Sequence, residues 1–135
     1  MRYAPEVDLF RMIDEFVARE DGGRLLVMNP VNTRGVMGRG LAKAFADRFP
    51  AVLEPYRRAC ESRQFRPGRI QPLAFDAASG ERAADGNLVI VNIATKDDWR
   101  QPSQLGWVDE GLGKVAQLAE EWGVSQVATP KLGAG

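Results

Sequence analysis

The sequence predicts a three-layer α/β/α sandwich with a mixed sheet, and two observations carry that expectation. Apolar runs of strand length alternate with segments of helical period, in the order β–α–α–β–β–α–β from Leu25 onward. Three of the runs, Leu25–Met28, Asn87–Ala94 and Gln126–Pro130, empty into loops rich in glycine, asparagine or charge. Ligands in open α/β sheets sit outside the carboxyl ends of strands, so the same pattern predicts where a site would lie.

The elements follow in order. Leu9, Ile13, Phe16 and Val17 fall at helical spacing, and Asp21-Gly22-Gly23 is a stop, giving an amphipathic helix over residues 8–19. Asp8 fits its N-cap, where a carboxylate accepts from orphan N–H groups. After the LLVM strand, Leu41, Ala44, Phe45 and Phe49 share a helical face. Pro50 then precedes a second helical stretch, Val52–Ser62, with Val52, Tyr56 and Ala59/Cys60 on one side. Arg66-Pro67-Gly68 turns the chain into a strand over Ile70–Phe75, and Asp85-Gly86 bounds the run NLVIVNIA. Leu105, Val108, Leu112, Val115, Leu118 and Trp122 repeat at three and four, a helix of about five turns with Trp122 in the core. Gly123 suits its C′ position.

The loops carry the chemistry. Between Asn29 and the first of the paired helices lie Asn32, Gly35, Gly38 and Gly40. A strand, a glycine loop and a helix together present backbone N–H groups and a positive helix end to an anion. The spacing is neither GxGxxG nor GxxxxGK[ST], which argues against a dinucleotide fold or a P-loop while leaving a phosphate-bearing ligand open. The second loop, Thr95-Lys96-Asp97-Asp98-Trp99-Arg100-Gln101-Pro102-Ser103, would stand next to the first, and LGAG at residues 132–135 is a third glycine loop at a strand's end.

Composition sets bounds. At 135 residues, with 44% hydrophobic and 27% charged residues, the chain fits one soluble domain with a real core. It shows no apolar stretch of the ~18 residues that would span a bilayer and no signal-peptide h-region, so a cytoplasmic location without membrane contact is expected. Cys60 is the only cysteine and there is no histidine; zinc sites and Ser-His or Cys-His catalysis are excluded as intrachain chemistry. Cys60 reads as a buried small hydrophobe. Eighteen basic residues balance 18 acidic ones, so long DNA cannot be wrapped. Local contact with a few nucleotides through Arg34, Arg39, Trp99 and Arg100 fits this balance. Lys43 and Arg48 read as a solvated helix face.

NPVNTRGVMGRGLAKAF, ATKDDWRQPS with the later Gly111-Leu112, and TPKLGAG, in that order, resemble a macrodomain. The match is nearest to the DarG-type branch, which removes ADP-ribose from thymidine in DNA, with the glutamate-directed terminal ADP-ribose glycohydrolase a more distant relative. It spans Leu25 to Gly135, leaving residues 1–24 as a divergent N-terminal extension of a single domain over 1–135. The resemblance implies the same sandwich fold, ADP-ribose as ligand and no cofactor. It places Asn29 and Asn32 by the distal ribose. Gly35, Val36, Met37, Gly38 and Gly40 line the pocket, Thr95 joins them, and the backbone of Gly133, Ala134 and Gly135 cradles the diphosphate. Lys96 takes the position of the essential lysine in TKxxWR. As a nucleophile toward the anomeric carbon it must shed its proton, against an ordinary lysine pKa of about 10.4; alternatively it stays charged and stabilises the departing group. The implied substrates are ADP-ribosyl-thymidine in short single-stranded DNA, the protein then being antitoxin to an ADP-ribosyltransferase toxin, or ADP-ribosyl-glutamate, or ADP-ribose alone for a reader.

Asp98 stands where the family has histidine. The family's opening Gly-Asp-Leu-Leu-like segment, whose aspartate contacts adenine, is only loosely matched by Val7-Asp8-Leu9-Phe10. Family members continue past the equivalent of Gly135 with a GGLxW-like segment and a last helix. A truncated C-terminal end is therefore expected, with helix 8–19 or a partner chain covering the sheet in its place.

Overall fold

A computed structural model describes residues 2–3, 6–19, 22–130 and 132. The strands are β1 (Arg2–Tyr3), β2 (Leu25–Val31), β3 (Ile70–Phe75), β4 (Leu88–Ala94) and β5 (Gln126–Thr129). The helices are α1 (Glu6–Arg19), α2 (Gly40–Arg48), α3 (Leu53–Glu61), led in by a 3-10 turn at Pro50–Val52, and α4 (Leu105–Glu121). The sheet order is β1-β5-β2-β4-β3. Only β3 runs antiparallel, against β4. The mixed sheet between helices is the expected fold. The short strand β1, two residues paired with β5, is an addition that no periodicity announces.

Burial on both faces explains the near-continuous apolar strands. One face packs Leu25, Val27, Leu88 and Ile90 beneath α1, α2 and α3, through Leu9, Ile13, Phe16, Phe45, Val52 and Tyr56. The other packs Leu26, Met28, Val89, Val91 and Ile93 beneath α4, through Val115. Leu9, Ile13 and Phe16 are buried as their spacing predicts. Asp8 is not the N-cap of α1, because the helix already begins at Glu6 and Asp8 falls within its first turn. Along α4 the buried positions are Val108, Gly111 and Val115. Leu105, in the first turn, is 73% exposed. Trp122 is only partly buried: it caps the last turn, with the Arg24 guanidinium 5.4 Å from its ring centroid. Gly123 takes φ +63° as a C′ glycine should.

At the amino ends of the strands Arg24 ties three loops together. Its guanidinium donates to the carbonyls of Gly86, Trp122 and Ala84 at 3.0, 3.2 and 3.2 Å. Gly86 itself admits no side chain, since a Cβ there would lie 2.0 Å from the Phe75 carbonyl oxygen. Backbone cannot yield as a flexible side chain does. Gly86→Ala is expected to cost about 2 kcal/mol or more in denaturant unfolding. Gly113→Ala on α4, where a Cβ meets nothing, is expected to gain up to about 1 kcal/mol from helix propensity. A Gly86→Ala domain as stable as the parent would contradict this packing.

Candidate functional site

β2 and β4 pair over all seven of their residues, from Leu25 opposite Leu88 to Val31 opposite Ala94. They therefore end together, and the Thr95 N–H extends the ladder to the Val31 carbonyl at 3.1 Å. The loop after β2 and the loop after β4 leave the sheet side by side.

The first loop is ordered from within. Asn32, buried at its start, accepts from the Arg34 N–H at 2.9 Å and donates to the Val36 carbonyl at 2.9 Å. The buried Tyr56 hydroxyl, from α3, lies 2.8 Å from the Asn32 Oδ1 and 2.9 Å from its carbonyl oxygen, sharing one proton between them. Burial, and after it the Cys60 thiol, push the Tyr56 phenol above its ordinary value, so it serves as a donor and not as a base. Gly35, at φ +81°, turns the loop against Arg57 and Cys60 of α3. Met37 is buried in the core and anchors the loop; Val36 is exposed. Gly38, Arg39 and Gly40 are exposed at the start of α2.

Beneath the loop an amide chain crosses three strands. Asn29 Nδ2 donates to Asn92 Oδ1 at 3.0 Å, Asn92 Nδ2 to Gln71 Oε1 at 3.0 Å, and Gln71 Nε2 to the Pro55 carbonyl at 2.9 Å. A carbonyl can only accept, so it fixes the sense of the whole chain. Asn29 is left presenting Oδ1, which is buried without a protein partner. Asn92 and Gln71 were not singled out in the sequence. The available signal was an asparagine inside the otherwise apolar run NLVIVNIA, since buried amides are hydrogen-bonded.

The second loop is tied to the first. The Thr33 N–H donates to the Asp97 carbonyl at 3.2 Å and its hydroxyl to Asp97 Oδ1 at 2.8 Å. Arg34 pairs with Asp97 at 3.1 Å and reaches Asp98 at 3.9 Å. Arg100 grips Asp98 through Nε and Nη2, both at 3.0 Å, and through its backbone N–H at 2.9 Å. Both carboxylates that follow Lys96 are thus matched by arginines. Among the described residues the half-buried Lys96 Nζ forms no ion pair. Trp99, 42% exposed, lies under two guanidinium groups, those of Arg39 and Arg100, each 5.3 Å from its ring centroid. Thr95 is buried and accepts from the Ser103 hydroxyl at 3.3 Å.

Two helix N-termini follow these loops. Neither α2 nor α4 has a side-chain cap or an acid in its first turn, so their first N–H groups remain open to an anion. Lys43 pairs with Asp47 along α2, as a solvated face requires, whereas Arg48 reaches across to α1, where it pairs with Asp14 and lies over the rings of Phe10 and Phe49. Gly133, Ala134 and Gly135 lie outside the described residues. A groove of about 390 Å³ lined by Phe10, Ala44, Asp47 and Arg48 sits between α1 and α2, apart from the strand ends.

The Macro domain family matches residues 28–135. A DNA ADP-ribosyl glycohydrolase of Thermus aquaticus is 40% identical over 109 residues, 81% of this chain and 29% of that protein. The chain thus spans less than a third of that relative's length. The macrodomain of Mycobacterium tuberculosis DarG superposes with a TM-score of 0.72 at 30% identity, covering 85% of this chain and 72% of that one. Thermosipho africanus DarTG in complex with ADP-ribose gives 0.70 at 27% identity, covering 82% of this chain and 30% of that one.

The Arg100 guanidinium, followed by the Arg100 N–H, holds Asp98 well below the ordinary carboxylate range. A depressed acid supports its loop fully above its unfolded value, about 3.9, and loses that support only as pH falls through the lower folded value. The Trp99 emission, measured in an Asp97→Asn background and isolated by subtracting the matching Trp99→Phe spectrum, should therefore hold constant from pH 7 down to about 4. Asp98→Asn should show the loosened environment throughout. Titration of the Asp97→Asn loop near the ordinary carboxylate value would contradict the Arg100 grip.

Proposed function

The chain belongs to the Macro domain family, and we propose that it binds ADP-ribose and removes it from thymidine in single-stranded DNA, as antitoxin to a DNA-modifying ADP-ribosyltransferase in the cytoplasm. The observation that carries this reading is the half-buried Lys96 on a loop stapled to the asparagine loop, its neighbouring carboxylates paired with arginines and not with it. The relatives' names and the ADP-ribose bound by the Thermosipho protein support the choice of ligand.

In this reading the diphosphate lies over the open N–H groups of α2, with Gly133, Ala134 and Gly135 as its backbone cradle. The distal ribose meets the asparagine loop at Asn29 and Asn32, with Gly35, Val36, Gly38, Gly40 and Thr95 around it. The neutral Lys96 amine attacks the anomeric carbon, the bond to the thymine nitrogen breaks, and that nitrogen takes up a proton. Ring opening gives an imine on Lys96, with the released electron pair and a proton on the ring oxygen. Water hydrolyses the imine, returning the amine and free ADP-ribose.

Lys96→Ala should lower release from an ADP-ribosylated thymidine oligonucleotide by about 100-fold or more while ADP-ribose still binds. A variant that releases at the parental rate refutes the assignment. Parallel assay of an ADP-ribosyl-glutamate peptide sorts the other readings. Release from the peptide alone makes this a protein-directed hydrolase, and binding without release from either makes it a reader.

A further inference from the structure

Four side chains at the strand ends could meet nucleic acid, and the structure divides them into two pairs. Arg34 and Arg100 are committed to Asp97 and Asp98, and with them hold the Lys96 loop in shape. Among the described residues the Arg39 and Trp99 side chains form no hydrogen bond or ion pair, and the Trp99 ring lies against the guanidinium groups of Arg39 and Arg100. Arg39 sits between Gly38 and Gly40, has extended backbone and pairs with no acid among the described residues. Its contact with the Trp99 ring is made across the gap between the two loops.

We propose that this contact is exchangeable: a base of the single-stranded substrate takes the place of the Arg39 guanidinium on Trp99, and Arg39 swings on its flanking glycines to the adjoining phosphate. This rests on the reading that the domain acts on ADP-ribosylated DNA, and it assigns the specificity for nucleic acid to one pair. Magnitudes favour the exchange. An exposed cation–π contact shifts an equilibrium by about two- to fivefold, a base stacked on an aromatic ring by about five- to 150-fold. The released cation then gains a phosphate. A chain with 18 positive and 18 negative charges cannot hold a strand by its overall field, so stacking is the means left to it. Among the described residues the other large exposed apolar side chains are Val36, in the first loop, and Leu105, where α4 begins after the second.

The test measures two affinities in a Lys96→Ala background, so that no ligand is consumed. One ligand is free ADP-ribose; the other is a short ADP-ribosylated thymidine oligonucleotide. Trp99→Ala should weaken the oligonucleotide at least about tenfold more than it weakens ADP-ribose, with Trp99→Phe keeping most of the affinity. Arg39→Ala should flatten the salt dependence of oligonucleotide binding by about 0.7 in the log–log slope. Equal losses on both ligands would put Trp99 against ADP-ribose itself and overturn the proposal. So would an undiminished oligonucleotide affinity in Trp99→Ala while ADP-ribose binds normally. No binding of ADP-ribose by the unsubstituted domain would overturn the underlying reading, and this inference with it.

Discussion

The unbroken parallel pairing of β2 with β4 is the constraint from which the rest follows. Seven residues in register bring both strands to an end at the same level. Two loops far apart in sequence thereby start as neighbours. Their contacts are short because the strands have already covered the distance. A slip of β2 by one residue would turn Asn29 to the α4 face, away from Asn92, and bury its amide among the apolar side chains of that face. The amide chain Asn29–Asn92–Gln71 acts against that slip, since each link requires the present register.

What the pairing begins, side chains complete. Thr33 and Arg34 fasten the second loop to the first, and Tyr56 fastens the first to α3. Contacts within the protein hold both loops, and such preorganisation lowers the ordering entropy that opposes binding. Exposed ion pairs contribute little to stability singly. Here their work is positional: they match the two carboxylates beside Lys96 to arginines. Uncapped helix ends follow both loops, and their open N–H groups favour an anion.

Much of this was legible in the sequence. Strand runs bounded by glycine, and helical stripes such as Leu9–Ile13–Phe16, express burial directly, and burial chose the elements. The strand ends located the site for the same reason, because buried strands must stop where loops reach water. Three things were not legible. β1 is too short to show a period. Asp8 lost the N-cap position because a cap depends on where the chain enters the helix, which a stripe of apolar residues does not report. Leu105 and Trp122 fit the helical repeat of α4, yet a repeat says which face a residue shares and not how far the sheet extends beneath it. The pairing of Arg34 with Asp97 and of Arg39 with Trp99 joins residues some sixty positions apart, and no spacing rule anticipates it.

The central claim is that the joined loops after β2 and β4 form one ADP-ribose site. Amide chemical-shift mapping during an ADP-ribose titration tests it most directly. The account predicts saturable shifts concentrated in residues 29–40 and 95–104, with the groove at Phe10, Ala44, Asp47 and Arg48 unmoved. Absence of shifts from a folded domain at millimolar ligand, or shifts centred on that groove, would contradict it.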